Sequence, residues 1–479
     1  MRAIRGLPYG VFVAVTGVLA GCELIANIGD PALRQPDGGG GDGGRGGATS
    51  SSSSSSSTTS SSTSSTSTSS STGSGGAEPT CTDDTKNGNE TGKDCGGGTC
   101  PACPIGGGCI VGPDCESSVC LGGTCIPEGC GDKIKNGSET DIDCGGPTCP
   151  ACGEGKGCGT NSDCMGGNCA ASVCAEPPSC KPGGDGLSNC GPSGDQSCCT
   201  STMAPGGTFF RSYDGVSLGF TSQAYPATVS AFRLDKYEIT VGRFRQFVAA
   251  WNGSWRPAAG AGTHTHLNSG MGAAATGGGY EMGWDAAWES NLATTASVWG
   301  DASHLACSAT QATWTSAANG KENRPINCLT WYEAYAFCIW DGGFLPSEAE
   351  WNYVAAAGSE QRVYPWSSPP SSTTIGCTYA NYDNCVATGT NNVGSEPDGN
   401  GMWGHADLAG NVFEWNLDSH DDAYATPCSD CANVSVAPKR VCRGGAFASA
   451  AGPVLVSSRL GVAQGARSWS IGARCARTP

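Results

Sequence analysis

Charge is scarce in this chain. Lys, Arg, Asp and Glu make up 14% of its 479 residues, against roughly a quarter in an average soluble domain. What charge there is leans acidic, with 26 basic and 43 acidic residues giving a formal net charge of −17. No basic cluster offsets that balance, so phosphate backbones are repelled and nucleic acid is not an expected partner. Beyond the N-terminal segment no run approaches the roughly 18 apolar residues that a membrane-crossing helix needs, which excludes a polytopic membrane protein. The charged heptads of a coiled coil are missing as well.

Glycine and cysteine are what the chain has in excess, at 75 and 30 residues. So many cysteines could not remain reliably thiol or disulfide in a reducing cytosol without metal, which points to an oxidising compartment. The length suits about three domains.

Arg2 and Arg5 precede an apolar stretch from Leu7 to Gly21, which has the charge and length of an export signal. It ends in Leu19-Ala20-Gly21-Cys22, which resembles the lipobox of bacterial lipoproteins. That resemblance implies removal of residues 1–21 and a lipid on Cys22, anchoring an exported protein to the bacterial cell envelope, periplasm-facing or at the surface. Residues 22–80 follow as a tether dominated by Gly, Ser and Thr, nearly pure Ser/Thr from Thr49 to Thr72. Such a segment has too little apolar surface to offset its conformational entropy.

An internal repeat comes next. Cys81, Cys95, Cys100, Cys103, Cys109, Cys115, Cys120 and Cys125 recur, each shifted by 49, as Cys130, Cys144, Cys149, Cys152, Cys158, Cys164, Cys169 and Cys174. Two modules, 81–129 and 130–179, are therefore duplicates. Units this short and poor in large apolar residues need covalent staples, and four disulfides per copy is the economical reading, though eight cysteines allow 105 pairings. The Asn-Gly-x-Glu-Thr-x-x-Asp stretches beginning at Asn87 and Asn136 offer oxygens of the kind calcium takes, but a turn with solvated acids is the preferred reading.

Near Cys180 aromatic residues and hydrophobic periodicity set in, and residues 180–479 suffice for one large core. Phe232 to Ile239 alternates like a strand, and Thr240 can cap a helix through Ala249 with Phe244, Phe247 and Val248 on one face. Thr330 with Glu333, and Ser347 with Glu350, have capping-box spacing before helices over Trp331–Trp340 and Trp351–Ala357. The remainder, rich in Gly, Pro, Ser and Asn, reads as long loops with short strands, giving an α+β domain of low regular content.

Six ordered motifs carry a resemblance. Tyr237-Glu-Ile-Thr240, Arg324-Pro-Ile-Asn-Cys-Leu-Thr-Trp331, Leu345-Pro-Ser-Glu-Ala-Glu-Trp351, Asp407-Leu-Ala-Gly-Asn-Val-Phe-Glu-Trp415, Arg443-Gly-Gly-Ala-Phe447 and Ile471-Gly-Ala-Arg-Cys475 stand in this order. Residues 200–477 thereby resemble the formylglycine-generating enzyme (sulfatase-modifying factor) family. The resemblance implies a C-type-lectin-like core with low regular secondary structure, here behind two small disulfide-rich modules. It implies calcium held by the side chains of Asp407 and Glu414 and the carbonyls of Gly410 and Val412, a hard-oxygen set. Asn381 and the Tyr382 carbonyl fall at a second calcium position whose completing acidic loop is not recognisable. Cys338 and Cys475 fall where the family has a disulfide.

Oxidases of this family use O2 and a copper ion held by two thiolates, since soft sulfur retains Cu(I). Ser449 and Val454 occupy those two places, which leaves copper without its ligands. Phe344 replaces an Arg and Ala446 a Ser of the family pattern. Removing Cys22, the sixteen repeat cysteines, Cys338 and Cys475 leaves eleven, so one thiol is expected to be free or bonded to a partner. His264-Thr-His266 lacks an acidic or thiol partner nearby in sequence and reads as loop.

The expected protein is lipid-anchored and extracytoplasmic, its last domain binding a peptide, protein or glycan ligand. Two alternatives are a formylglycine-generating oxidase acting on exported Cys-x-Pro-x-Arg motifs through a rearranged thiol pair, and a structural envelope component.

Overall fold

The computed structural model describes residues 81–479, apart from 122, 127–128, 131–132, 147–148, 150–151, 154, 161–162, 165–167, 182 and 388. The expected signal peptide, Cys22 and the tether lie outside the described residues. The described chain divides into two compact units, residues 81–132 and residues 133–479. Among the described residues no helix is long and apolar enough to cross a membrane.

In the first module sulfur replaces a hydrophobic core. The bridges are Cys81–Cys100, Cys95–Cys103, Cys109–Cys120 and Cys115–Cys125, and the hairpin of β1 (Cys120–Leu121) and β2 (Thr124–Cys125) is the regular structure they hold. The second module repeats the pattern as Cys144–Cys152, Cys158–Cys169 and Cys164–Cys174 around β3 (Cys169–Ala170) and β4 (Val173–Cys174). Cys130 and Cys149 are disulfide-bonded too. The acids of the repeated motif turn inward. Glu90 accepts the amides of Asn87 and Asp94 at 3.1 and 3.3 Å, and Glu139 those of Asn136 and Asp143 at 3.2 and 3.3 Å. Asp114 and Asp163 likewise each bind three backbone amides. These carboxylates are therefore satisfied as turn staples.

From Cys180 onward the fold is α+β with long loops. Strands β5 (Ser201–Ala204), β6 (Gly207–Phe210), β7 (Pro226–Val229) and β8 (Phe232–Asp235) lead into α1 (Val241–Asn252). After β9 (Ala274–Ala275) come α2 (Trp331–Trp340) and α3 (Glu348–Ala355). The chain ends with β10 (Phe413–Ser419), β11 (Cys431–Ala432), β12 (Lys439–Arg443), β13 (Leu460–Ala463), β14 (Ile471–Gly472) and β15 (Ala476–Arg477). One sheet runs β13-β12-β10-β14, antiparallel except for the parallel β10/β14 pair, and an antiparallel sheet runs β15-β8-β5.

Local chemistry explains the helices. Thr330 and Ser347 accept the amides of Glu333 and Glu350, whose carboxylates reach back to the cap amides, so both expected capping boxes form. The first helix runs three residues beyond Ala249 because Trp251 belongs to its buried face and its indole donates to the Ala293 carbonyl at 2.9 Å. The last helix stops at Ala355, short of the expected Ala357, whose left-handed φ of 56° breaks the spiral. The strand expected to reach Ile239 ends at Asp235, because Arg474 takes the carbonyls of Asp235 and Lys236 as acceptors.

Aromatic side chains fill the larger core. Phe244 and Phe247 of α1 meet Trp299, Phe337 of α2 and one another, with Trp331 and Trp415 also fully buried. A second cluster joins Phe232 and Leu234 of β8 to Trp351 and Val354 of α3.

Between these elements lies a closed ring of charge. Arg243 Nη2 meets Asp235 and Asp341 at 3.0 and 2.6 Å, and Arg477 meets the same two carboxylates at 3.0 and 2.6 Å, with all four side chains fully buried. Burial alone would raise the Asp341 pKa, but the Arg243 and Arg477 guanidiniums outweigh it and hold that carboxyl below its ordinary value. Removing one partner strands buried charge. Arg243→Leu is expected to lower the unfolding free energy by about 3–5 kcal/mol, read from urea denaturation, whereas a loss near zero would show that the ring does not hold the domain.

Candidate functional site

The Asp407 to Glu414 segment is a tight turn feeding β10. Asp407, Gly410 and Asn411 all have left-handed φ, at 55°, 89° and 57°. A side chain at Gly410 would come within 2.4 Å of the Asn381 carbonyl oxygen, so only glycine fits there. The turn is fixed from three directions. The Gly410 amide donates to the Gly444 carbonyl at 2.8 Å, the Asn411 amide to the Asn381 carbonyl at 2.8 Å, and the Asn411 side chain to Glu238 at 2.7 Å. Both sequence-predicted oxygen sets thus meet on one turn: Asp407, Gly410, Val412 and Glu414 lie within it, and Asn381 is hydrogen-bonded to it. Tyr382 lies beside it, half-buried against the cluster of Val363, Tyr364, Ala409 and Val454.

Charge at the turn is not balanced. Arg474 grips Glu414 through two bonds of 2.6 and 2.7 Å, and the Trp351 indole adds a third at 2.7 Å. Glu414 is therefore fully engaged, while Asp407 accepts a hydrogen bond from the Gly394 amide at 2.6 Å. Glu238 also faces the turn, and burial first, then the Asp407 and Glu414 charges, push its carboxyl well above the usual range. Burial raises Asp407 to about 6 and, with Asp407 nearby, raises Glu396 to about 7. Glu396 Oε2 and Asn381 Oδ1 are buried with no hydrogen-bond partner. The turn thus has more buried acids beside it than cations, and its unpaired amide and carboxylate oxygens are of the hard type that calcium takes.

Ser449 and Val454, where the sequence resemblance leads one to expect the thiolates, are engaged otherwise. Ser449 Oγ accepts the Ala446 amide at 3.0 Å, closing a turn after Gly444-Gly445. Val454 is buried in the apolar cluster with Val363, Tyr364, Ala409 and Leu455. The thirteen bridges with measured geometry, and disulfide-bonded Cys130 and Cys149, leave Cys442 as the free cysteine among the described residues. It sits in β12 opposite Trp415 and Leu460, where burial and then the Glu414 charge push its thiol well above the ordinary value. Cys338 and Cys475 form a disulfide. Cys198 and Cys199 reach Cys190 and Cys180 respectively, and not each other.

Sequence reading missed three groups. Glu238 stood in a quoted motif without a role, although an acid between the apolar Tyr237 and Ile239 was a usable signal. Glu396, in a Pro/Asp/Gly loop, gave none. His264 has the acidic partners that its neighbourhood in sequence lacks: its ring nitrogens lie 2.8 Å from Glu281 and 3.0 Å from Glu350, and its ring centroid lies 4.0 Å from that of Phe344. Burial alone would lower its pKa, but the two carboxylates overcome that and raise it well above 6.5. The imidazole is then a charged bridge between a loop and α3, a structural role.

Residues 189–479 match the family described as the sulfatase-modifying factor enzyme 1-like domain. The formylglycine-generating enzyme of Streptomyces coelicolor is 28% identical over 175 residues, 34% of this chain and 55% of that protein. The inactive C-alpha-formylglycine-generating enzyme 2 of Mus musculus is 29% identical over 171 residues, 34% of this chain and 51% of that one. The chain thus spans about half the length of these relatives. Among solved structures, PvdO from Pseudomonas aeruginosa aligns at 20% identity and a TM-score of 0.41, covering 58% of this chain and 94% of that one.

A carboxyl whose pKa is higher folded than unfolded makes folding weaker as pH rises from the unfolded value to the folded one. For Asp407 that window runs from the ordinary carboxyl value of 3.8 to about 6. In a chelator, Asp407→Asn is expected to give a melting temperature that rises more, or falls less, between pH 4 and pH 7 than that of the wild type, and parallel wild-type and variant curves would contradict the raised Asp407 pKa.

Proposed function

The chain belongs to the sulfatase-modifying factor enzyme 1-like family, and from that premise we propose that it is a lipid-anchored extracytoplasmic protein whose family domain binds a ligand and does not oxidise cysteine. The occupation of the two thiolate positions carries the reading. A hydroxyl already engaged in a turn and an isopropyl group packed among aromatics offer no soft donor to Cu(I), and the one free described thiol lies buried within a sheet. The similarity to a relative named as inactive is consistent with this. The ligand is a peptide, protein or glycan met in the exported compartment, with Cys22 as the lipid attachment.

Incubating the protein with Cu(I), O2 and a peptide containing Cys-x-Pro-x-Arg tests the reading directly. No aldehyde product by mass spectrometry and no retained copper are expected; aldehyde formation would replace the binding module with an oxidase.

Calcium at the Asp407 turn is the accompanying proposal. Asp407, Asn381 and the carbonyls of Gly410 and Val412 would hold the ion, and Glu414, held by Arg474, would act as a neighbouring charge unless that pair opens. The ion would supply positive charge where Glu238, Asp407 and Glu396 lack it. Adding calcium after chelation is expected to raise the melting temperature by several degrees, and Asp407→Ala to abolish the rise; an unchanged melt would remove calcium from the account.

A further inference from the structure

Six disulfides lie between Cys180 and Cys475, and they differ in what an attacking thiol would meet. Cys180, Cys190, Cys198, Cys199, Cys338, Cys475, Cys428 and Cys431 are all buried. Cys307 is half-covered, but its partner Cys328 is fully buried. In the Cys377–Cys385 bridge, by contrast, Cys377 is exposed and Cys385 only half-covered. Thiol exchange needs an open path to one sulfur and solvation of the thiolate leaving from the other, and this bridge alone of the six offers both.

Its loop is also tied to the site. The Asp383 amide donates to the Ser449 carbonyl at 2.9 Å and the Asn384 amide to the Phe447 carbonyl at 2.7 Å. The same loop carries Asn381, whose carbonyl holds the Asn411 amide at 2.8 Å, and Tyr382, which packs beside Val454. The bridge therefore closes the segment that fastens the Asp407 turn to the loop following Gly444-Gly445.

We infer that Cys377–Cys385 is a thiol-exchange site for a dithiol reductant, and that its opening loosens the loop holding the Asp407 turn. A thiolate of the reductant attacks Cys377 Sγ and forms a mixed disulfide; the Cys377–Cys385 bond breaks, and its electron pair leaves on Cys385 Sγ, which takes a proton from water. The second thiol of the reductant, as its thiolate, attacks the mixed disulfide, closes the reductant's own disulfide and releases Cys377 as a thiolate that is then protonated. The reductant loses two electrons and the bridge gains two. Asp383 stands two residues from Cys385 and is exposed, so a neutral dithiol is the better partner than an anionic monothiol. The inference is independent of which ligand or ion the domain holds.

The test treats the full-length protein with graded dithiothreitol, alkylates free thiols and maps them by peptide mass spectrometry. Within residues 180–479, Cys377 and Cys385 are expected to label together, about tenfold or more ahead of the other bridged cysteines; labelling with or after Cys428 and Cys431 would overturn the exchange site. Hydrogen exchange then reads the loop, in the selectively reduced protein and in Cys377→Ser/Cys385→Ser with the other bridges intact. Faster exchange at the Asp383, Asn384 and Asn411 amides is the expected result in both, and unchanged protection at all three would overturn the coupling.

Discussion

The buried ring of Arg243, Asp235, Arg477 and Asp341 is the constraint on which the family domain depends. It joins β8, α1, the end of α2 and β15, four elements with no common local cause. Neither arginine can be taken into the interior alone, because desolvating a charge costs more than most contacts return. Each is tolerable only when both aspartates are in place, so the ring forms as a unit and fixes the three-stranded sheet against both helices. Arg243 also reaches Ser179 and the Cys198 carbonyl, which fastens the segment entering the domain to the same centre.

A second charged centre lies one residue from the C-terminal disulfide. Arg474 binds Glu414 and the carbonyls of Asp235, Lys236 and Ala406, so it orients the Asp407 turn and at the same time ends β8. The contrast between the two centres is informative. The ring is neutral in sum and closed. The turn has acids beyond what one arginine balances, and unpaired oxygens beside it, so its geometry is complete only with respect to the backbone. Structural demand ends at the first centre; the second retains an electrostatic excess that the fold alone does not account for.

How much of this was legible from sequence follows from the range of the interactions. The capping boxes at Thr330 and Ser347 could be read because both partners lie within four residues. The duplicated modules could be read because equal spacing is visible without coordinates, although their connectivity could not, since each bridge depends on where the chain folds back. The Asp407 to Glu414 motif located the turn, but the grip of Arg474 on Glu414 spans 60 residues and was invisible. Glu281 and Glu350 around His264 were invisible for the same reason. The odd count of eleven cysteines demanded one unpaired thiol, and only packing shows that Cys442, between Trp415 and Leu460, is the one.

The long separations in the family domain also dictate an order of events. Arg477 pairs with Asp235 across 242 residues, and Cys475 is bridged to Cys338 across 137. Until residues 471–477 have been made, β8 has β5 on one side and nothing on the other, two aspartates face an incomplete set of cations and a cysteine on α2 has no mate. A ribosome adding roughly 5–20 residues per second would therefore release this domain as a loose polypeptide for many seconds, with closure arriving in one late step.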